Sequence, residues 1–304
     1  MCQISREEYK RIVKNERESY FGSPFDLAYK SFVDLGLSRK DSHYFREHAS
    51  TLVEQLRSKC WEEFQPFERQ FTTRMLAKLI DEKHVSHMNP VEAIEYFVGE
   101  YPEHIYDLSL SNTQSRRSRA GKEFEAIIEL LFIGADIPAQ AQGSVAKQAF
   151  SNSGIGKMVD FVSPSVIQYL SNKRNTVLIS AKTTLRERWQ EVPEEVNRTG
   201  IREMYLATID EGITEETLNI LYEANVVIVT TRNNKLLHYP NNLHIITFED
   251  LITLMQDAVN KWNNYRYTES DIDAFKKYFT TQIAKHENHP YVEAYYQRRL
   301  AEIG

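Results

Sequence analysis

The stretch KMVDFVSPSVIQYLSNKRNTVLISAKTTLRERWQEVPEEVNR (157–198) decides how the rest of the chain reads. Its segments KMVDFV (157–162) and TVLISAKT (176–183) are rich in β-branched and apolar residues, the composition of buried strands. Two similar runs follow, EMYLATI (203–209) and NVVIVTT (225–231), with the helix-like ITEETLNILYEA (213–224) between them. HIITF (244–248) adds a further short strand, and a helix is expected at 249–262. Strands interleaved with helices predict an α/β core built on a central mixed sheet with flanking helices.

Working outward, residues 1 to about 100 read as helical. Ser5 and Glu8 form a capping box before the first helix. Pro24, Asp41 and Pro66 sit near further helix starts, and residues 43–63 hold a long helix-compatible stretch. AGKEFEAIIELLFI (120–133) spaces Phe124, Ile127, Ile128, Leu131 and Phe132 as one helical face. The tail from Asp271 is helical again. The expected organisation is a mainly helical N-terminal region (1–110) packed on a catalytic core with C-terminal helices (111–304), together forming one compact unit.

Composition narrows the function. The 304 residues are 41% hydrophobic and include 17 Tyr, 15 Phe and 3 Trp, too rich in core-forming side chains for a disordered chain. Two cysteines, Cys2 and Cys60, exclude a disulfide framework and a Cys-rich zinc site. No apolar run is long enough to span a bilayer, and the N-terminus is charged from the outset. A cytoplasmic location is expected. The net charge of -6 argues, at face value, against nucleic acid. Yet residues 111–190 carry 11 Lys/Arg against 6 Asp/Glu, concentrated in SRRSRAGK (115–122) and RERW (186–189). A localised basic band inside an acidic chain is compatible with a DNA-binding cleft.

Three residues associated with the strands suggest chemistry. Asp160 lies in KMVDFV, Lys182 ends TVLISAK, and Glu195 follows Lys182 by 13 positions. On spacing alone, Asp160 and Lys182 read equally as a strand-end ion pair or as part of a phosphodiester-cleaving site. The second reading needs carboxylate oxygens for a hard cation such as Mg²⁺ and a cation beside the phosphate. A Ser–Lys hydrolase built on Ser180 and Lys182 stays open too, because strand alternation puts both on one face.

VDF, then SAK, then Glu195 resembles the PD-(D/E)xK nuclease superfamily in its permuted form. In that form Ser replaces the acid before xK, and a Glu about a dozen residues downstream takes its place. The block SAKTTLRERWQEV followed by EE resembles the SsoII-like group of type II restriction endonucleases, which recognise CCNGG. The resemblance implies a restriction-endonuclease-like fold. It assigns Asp160 and Glu195 as Mg²⁺ ligands, Lys182 as the catalytic lysine and Glu125 as the helix-borne acid. Val159 stands where the pattern has Pro, and Glu194 competes with Glu195 for the ligand role.

The same resemblance points to base reading by Arg186, Glu187 and Arg188. Arginine forks two hydrogen bonds to guanine O6 and N7, and a carboxylate accepts from cytosine N4. Gln114 is a candidate for the minor groove, and Arg116, Arg117 and Arg119 for the DNA backbone. Relatives extrude the unread middle base pair, which requires a stacking surface. Trp61 is the candidate platform and Arg57 its companion at i−4, with core packing beside Phe64 and Phe67 as the competing role for Trp61. A palindromic target implies a homodimer on double-stranded DNA, and the family pairs each enzyme with a cognate DNA methyltransferase. Cleavage before the first C is implied. A repair or junction-resolving nuclease and a non-catalytic DNA-binding protein are the rival readings.

Overall fold

The computed structural model describes residues 4–142, 155, 159–185 and 188–303, without the side chains of Arg188, Glu191 and Glu195. Before the first strand the described residues are helical. They form α1 (Arg6–Tyr20), α2 (Pro24–Asp34), α3 (Ser42–Glu47), α4 (Ala49–Ala77), α5 (Glu82–Val85), α6 (Pro90–Glu100) and α7 (Pro102–Gly134). Local chemistry sets several of these starts. Ser5 caps α1 by accepting from Glu8 N, Pro24 is the first residue of α2, and Asp41 caps α3 by accepting from Tyr44 N.

Pro66 does not start a helix: it lies inside α4. Its missing N–H strands the carbonyl of Glu62, but both residues are exposed, so water can satisfy that group and the helix continues.

The sheet then follows: β1 (Gln140–Ala141), β2 (Phe161–Ser163), α8 (Val166–Ser171), β3 (Val177–Lys182), α9 (Glu191–Thr199), β4 (Met204–Thr208), α10 (Glu215–Glu223), β5 (Val226–Thr230), α11 (Arg232–His238) and β6 (Ile245–Thr247). The chain closes with α12 (Phe248–Asn260), α13 (Glu269–Lys285) and α14 (Pro290–Ala301). Strand order is β1-β2-β3-β4-β5-β6. The pairs β1–β2 and β2–β3 are antiparallel, whereas β3 through β6 run parallel. The mixed sheet expected from the sequence is therefore present, with each parallel connection passing through a helix. In β3 every residue is buried except Lys182, which is half-buried, as in parallel strands covered on both faces.

Contacts divide the chain into two units. The first comprises Met1–Ser31 and Ser58–Glu123, the second Phe32–Arg57 and Phe124–Gly304. Helices α4 and α7 contribute residues to both. The first unit has a core of Tyr9, Val13, Phe71, Met75, Leu79, Tyr101 and Leu108. The second is organised around the sheet, with Val162, Leu178, Leu185, Val192, Met204, Leu206, Leu221 and Ile228 in one cluster.

At the end of α7 the packing tolerates no side chain. A Cβ built on Gly134 would clash with Cδ1, Cε1 and Cζ along one edge of the ring of Phe45, which is fully buried. Gly134→Ala is therefore expected to cost about 1–3 kcal/mol through overpacking. Urea denaturation checks this, and Phe45→Leu in the same background should recover part of the loss.

Candidate active site

The main chain of Asp160 is fixed from both sides. Its N donates to Ile179 O at 2.8 Å, and its carbonyl accepts from Gln142 N at 2.8 Å. Asp160 is thus stitched into the sheet just before β2. Its side chain, 8% exposed, turns to the end of β3. Oδ2 accepts from Ala181 N at 2.6 Å, Lys182 Nζ at 2.8 Å and Ser180 Oγ at 3.4 Å. A carboxylate removed from water is costly unless charge and hydrogen bonds replace its hydration, and these donors supply both.

All three bonds end on one oxygen. Among the described residues Oδ1 carries none, which leaves a hard donor of the kind Mg²⁺ takes. Asp160 alone does not make a metal centre, and the described residues contain no group of three His, Cys, Asp or Glu that could hold an ion. The side chain of Glu195 lies outside the description. Its backbone belongs to α9, where Glu194 is exposed. Glu125 is half-buried on α7, next to the buried Phe124 and Ala126. The donor chemistry of Asp160 fits Mg²⁺, with further oxygens required from Glu195, water or substrate.

Strand alternation does place Ser180 and Lys182 toward the same carboxylate. Ser180, however, is fully buried and donates its hydroxyl proton to Asp160. A nucleophile needs access to substrate, so the Ser–Lys hydrolase reading has no support.

Arg186 and Glu187 lie outside the described residues, as does the side chain of Arg188. The residues on either side of them are placed. Leu185 is 2% exposed in the sheet-side core, and Trp189 packs against the same cluster.

The arginines of SRRSRAGK divide into two kinds. Arg116 Nε donates to both oxygens of Glu68, at 2.7 and 2.6 Å, and its Nη2 also pairs with that carboxylate. Glu68 is 2% exposed, and its hydrogen bond raises the Arg116 pKa above the ordinary guanidinium value. Arg119 donates to the carbonyls of Gly22 (2.9 Å) and Ser23 (3.4 Å) and lies over the rings of Phe64 and Phe21. Burial lowers its pKa. Arg117 and Gln114 are exposed on α7.

Trp61 is 43% exposed on α4, with its ring 6.2 Å from that of Phe64 and the Arg116 guanidinium 5.9 Å away. It is thus neither a core residue nor isolated. Arg57, in the second unit, is half-buried.

Two residues carry little signal in the sequence. Glu68 looks like any helical acid until its partner 48 residues away is known. Asp210 follows β4 in IDEG (209–212), a turn signature, yet its Oδ2 accepts from Leu185 N at 2.7 Å. Only the Asp-x-Gly spacing marks it, and that explains the local bond from Gly212 N to Oδ1 at 3.0 Å but not the distant one. Elsewhere, a cavity of about 380 Å³ is lined by tyrosines including Tyr267, Tyr278, Tyr295 and Tyr296, and none of the site candidates among the described residues borders it.

Comparison with known proteins gives consistent results. Residues 78–252 match the family described as EcoRII C terminal. The type II restriction enzyme SsoII of Shigella sonnei is 56% identical over 303 residues, covering 100% of this chain and 99% of that enzyme. The type II restriction enzyme EcoRII of Escherichia coli is 28% identical over 169 residues, 55% of this chain and 36% of that enzyme. Among solved structures, metal-depleted Ecl18kI in complex with uncleaved, modified DNA superposes with a TM-score of 0.93 at 56% identity, over 98% of this chain and all of that one. PspGI in complex with substrate DNA shares the fold, with a TM-score of 0.57 at 20% identity over 79% of this chain and 94% of that one.

The two kinds of arginine should separate by stability. Arg116→Ala leaves the buried Glu68 carboxylate without its partner and is expected to cost about 2 kcal/mol, the half-exposed arginine moderating the loss. Arg117→Ala should change stability by less than about 0.5 kcal/mol. Urea denaturation of the two variants provides the comparison.

Proposed function

The chain belongs to the type II restriction endonucleases, in the family defined by the C-terminal part of EcoRII, and from that premise we propose that it cuts both strands of DNA at CCNGG before the first C, with Mg²⁺ as cofactor and the central base pair extruded. The observation that carries the cutting reaction is the contact of Lys182 Nζ with Asp160 Oδ2 at 2.8 Å, with Ala181 N on the same oxygen. It holds a cation at the carboxyl end of a parallel strand, where open α/β sheets bind their ligands.

Asp160 through Oδ1, together with Glu195, would hold the metal. When bound, Mg²⁺ supplies Lewis-acid stabilisation to the scissile phosphate. Lys182 then has two tasks. Its ammonium orients the attacking water, and it offsets the charge that grows on the phosphate oxygens in the transition state. Ser180 and Ala181 keep the Asp160 carboxylate oriented by donating to its Oδ2. Glu125 on α7 is assigned the supporting acidic role.

Arg186, Glu187 and Arg188 are assigned to the C·G pairs in the major groove, the fork to guanine and the carboxylate to cytosine N4. Gln114 is assigned to the minor groove. For the DNA backbone the exposed Arg117 is favoured over Arg119, whose guanidinium is engaged with two carbonyls. Arg116 contributes from its half-exposed position on Glu68. Trp61 offers the stacking surface for an extruded base, with Arg57 one helical turn earlier on α4 as its companion. Its 43% exposure and the arginine beside it support that role over core packing. A palindromic site with one cut per strand calls for a homodimer. A cytoplasmic enzyme that cuts such a site calls in turn for a methyltransferase protecting the host's own copies.

Digestion of phage DNA with Mg²⁺, followed by sequencing of the fragment ends, tests the reading. The expected ends are 5′ overhangs starting at the first C of CCNGG; random ends, or no cutting, overturn it. Asp160→Asn and Lys182→Met should each lower the cleavage rate about a thousandfold or more while site-specific binding persists. With 2-aminopurine at the middle position, fluorescence should rise on binding, and Trp61→Ala should change that emission. Unchanged emission in both cases would remove base extrusion from the mechanism.

A further inference from the structure

We propose that Glu249 is a positioning residue that locks the start of α4, the helix carrying Arg57, to the catalytic end of the sheet; this rests on the assignment of Arg57 to the extruded base.

Glu249 is the second residue of α12 and is 8% exposed. Its own helix is capped without it. Thr247 accepts from Asp250 N, and the Asp250 side chain completes the capping box. Both oxygens of Glu249 instead reach a helix 199 residues away in sequence. Oε1 accepts from Ser50 N at 2.9 Å, and Oε2 accepts from Ser50 Oγ at 2.6 Å. Arg232, the first residue of α11, brings its Nε to 3.3 Å from Oε2.

The start of α4 needs such an acceptor. The helix begins at Ala49, and His48 O accepts its first bond, from Leu52 N at 2.9 Å. His48 therefore holds the N-cap position, where Ser, Thr, Asp or Asn normally accepts from the N–H of the second or third helical residue. Ser50 is the second residue of α4, and Glu249 serves its N–H from α12.

The sheet register locates this clamp. Lys182 pairs with Thr208, Ala207 with Val229 and Thr230 with Thr247, so β5 and β6 end level with Lys182. Arg232 and Glu249 follow two residues beyond those ends. The carboxylate thus ties α4 to the end of the sheet that carries Lys182 and, through it, Asp160. Leu52, Val53 and Leu56 are buried in the first turns of α4, but apolar packing is non-directional and leaves the rotation of a helix loosely specified. The bond to Ser50 N holds the helix end, and the bond to Ser50 Oγ holds its rotation. Arg57 follows Ser50 by seven positions, about 10 Å and two turns along the axis, and so lies on the same face. A rotation of α4 at Ser50 is therefore carried to Arg57. Extruding a base pair requires its companion side chain to stand in one place, which calls for a helix fixed at its root.

The test compares wild type with Glu249→Ala, Glu249→Gln, Ser50→Ala and Arg57→Ala on two duplexes, one with a paired middle position in CCNGG and one with a mismatch there. A mismatched base leaves the stack at lower cost, so the second duplex relieves the enzyme of part of the extrusion. Single-turnover cleavage rates with Mg²⁺ are measured on both, together with unfolding midpoints. Glu249→Ala should slow cleavage of the paired duplex about tenfold or more, and of the mismatched duplex by no more than about twofold. Glu249→Gln and Ser50→Ala, which each leave one of the two Ser50 bonds, should give a smaller split in the same direction. A purely structural role would slow both duplexes equally; that result, or wild-type rates on both, overturns the proposal. If Glu249→Ala does not fold, Glu249→Gln and Ser50→Ala decide by the same ratio. If wild type leaves the paired duplex uncut, or Arg57→Ala shows no split, the assignment of Arg57 to the extruded base fails and takes the proposal with it. If Arg57→Ala shows the split and the Glu249 variants do not, the Glu249 proposal fails alone.

Discussion

A carboxylate withdrawn from water governs the centre of this protein. The role proposed for Asp160, holding a cation, calls for a carboxylate, yet burial of such a group without partners is costly. The sheet resolves the conflict by ending β3 beside it, so that a backbone N–H, a hydroxyl and an ammonium meet on Oδ2. Much of the surrounding order follows from that need. Ser180 must be small and a donor, Ala181 must present its N–H, and Lys182 must end the strand where its stem is covered and its ammonium is not fully withdrawn. The Ser that stands in place of an acid is therefore an integral part of the site: a second carboxylate there would face Asp160 across the strand pair.

The parts of this design that were legible in the sequence are those whose cause is local. Runs such as NVVIVTT and TVLISAKT announced β5 and β3 because β-branched residues fit a buried pleat. Spacing left Asp160 and Lys182 open between an ion pair and a phosphodiester-cleaving site; their contact at 2.8 Å is present in the fold, whereas the catalytic assignment rests on the resemblance of VDF and SAK to the nuclease pattern. The two-residue β1 was invisible, since Gln140–Ala141 has no composition of its own and exists only because β2 offers an edge. Pro66 misled because a proline normally marks a helix boundary, and here the carbonyl it strands is exposed, where water can satisfy it.

The basic band shows the limit most plainly. Counting letters treats Arg116, Arg117 and Arg119 alike. In the folded protein Arg116, although exposed, neutralises a buried glutamate and Arg119 ties down two carbonyls beneath aromatic rings, so among the described residues Arg117 is the exposed arginine of the three without such an engagement. The partners lie 48 and 97 residues away in sequence, and no spacing rule reaches that far. Net charge and local surplus thus describe what a chain carries, whereas pairing decides what a ligand meets.

The monotonic strand order also bears on how the molecule comes to exist. Every strand pairs with its neighbour in sequence, so no sheet contact has to wait for a distant part of the chain to arrive. Loop-closure entropy per pairing is correspondingly small, which favours rapid formation of β2 on β3 and then β3 on β4. Asp160 and Lys182 belong to the first of those pairings. The pair proposed to act in cleavage is accordingly brought together by one of the most local steps in the assembly of the sheet.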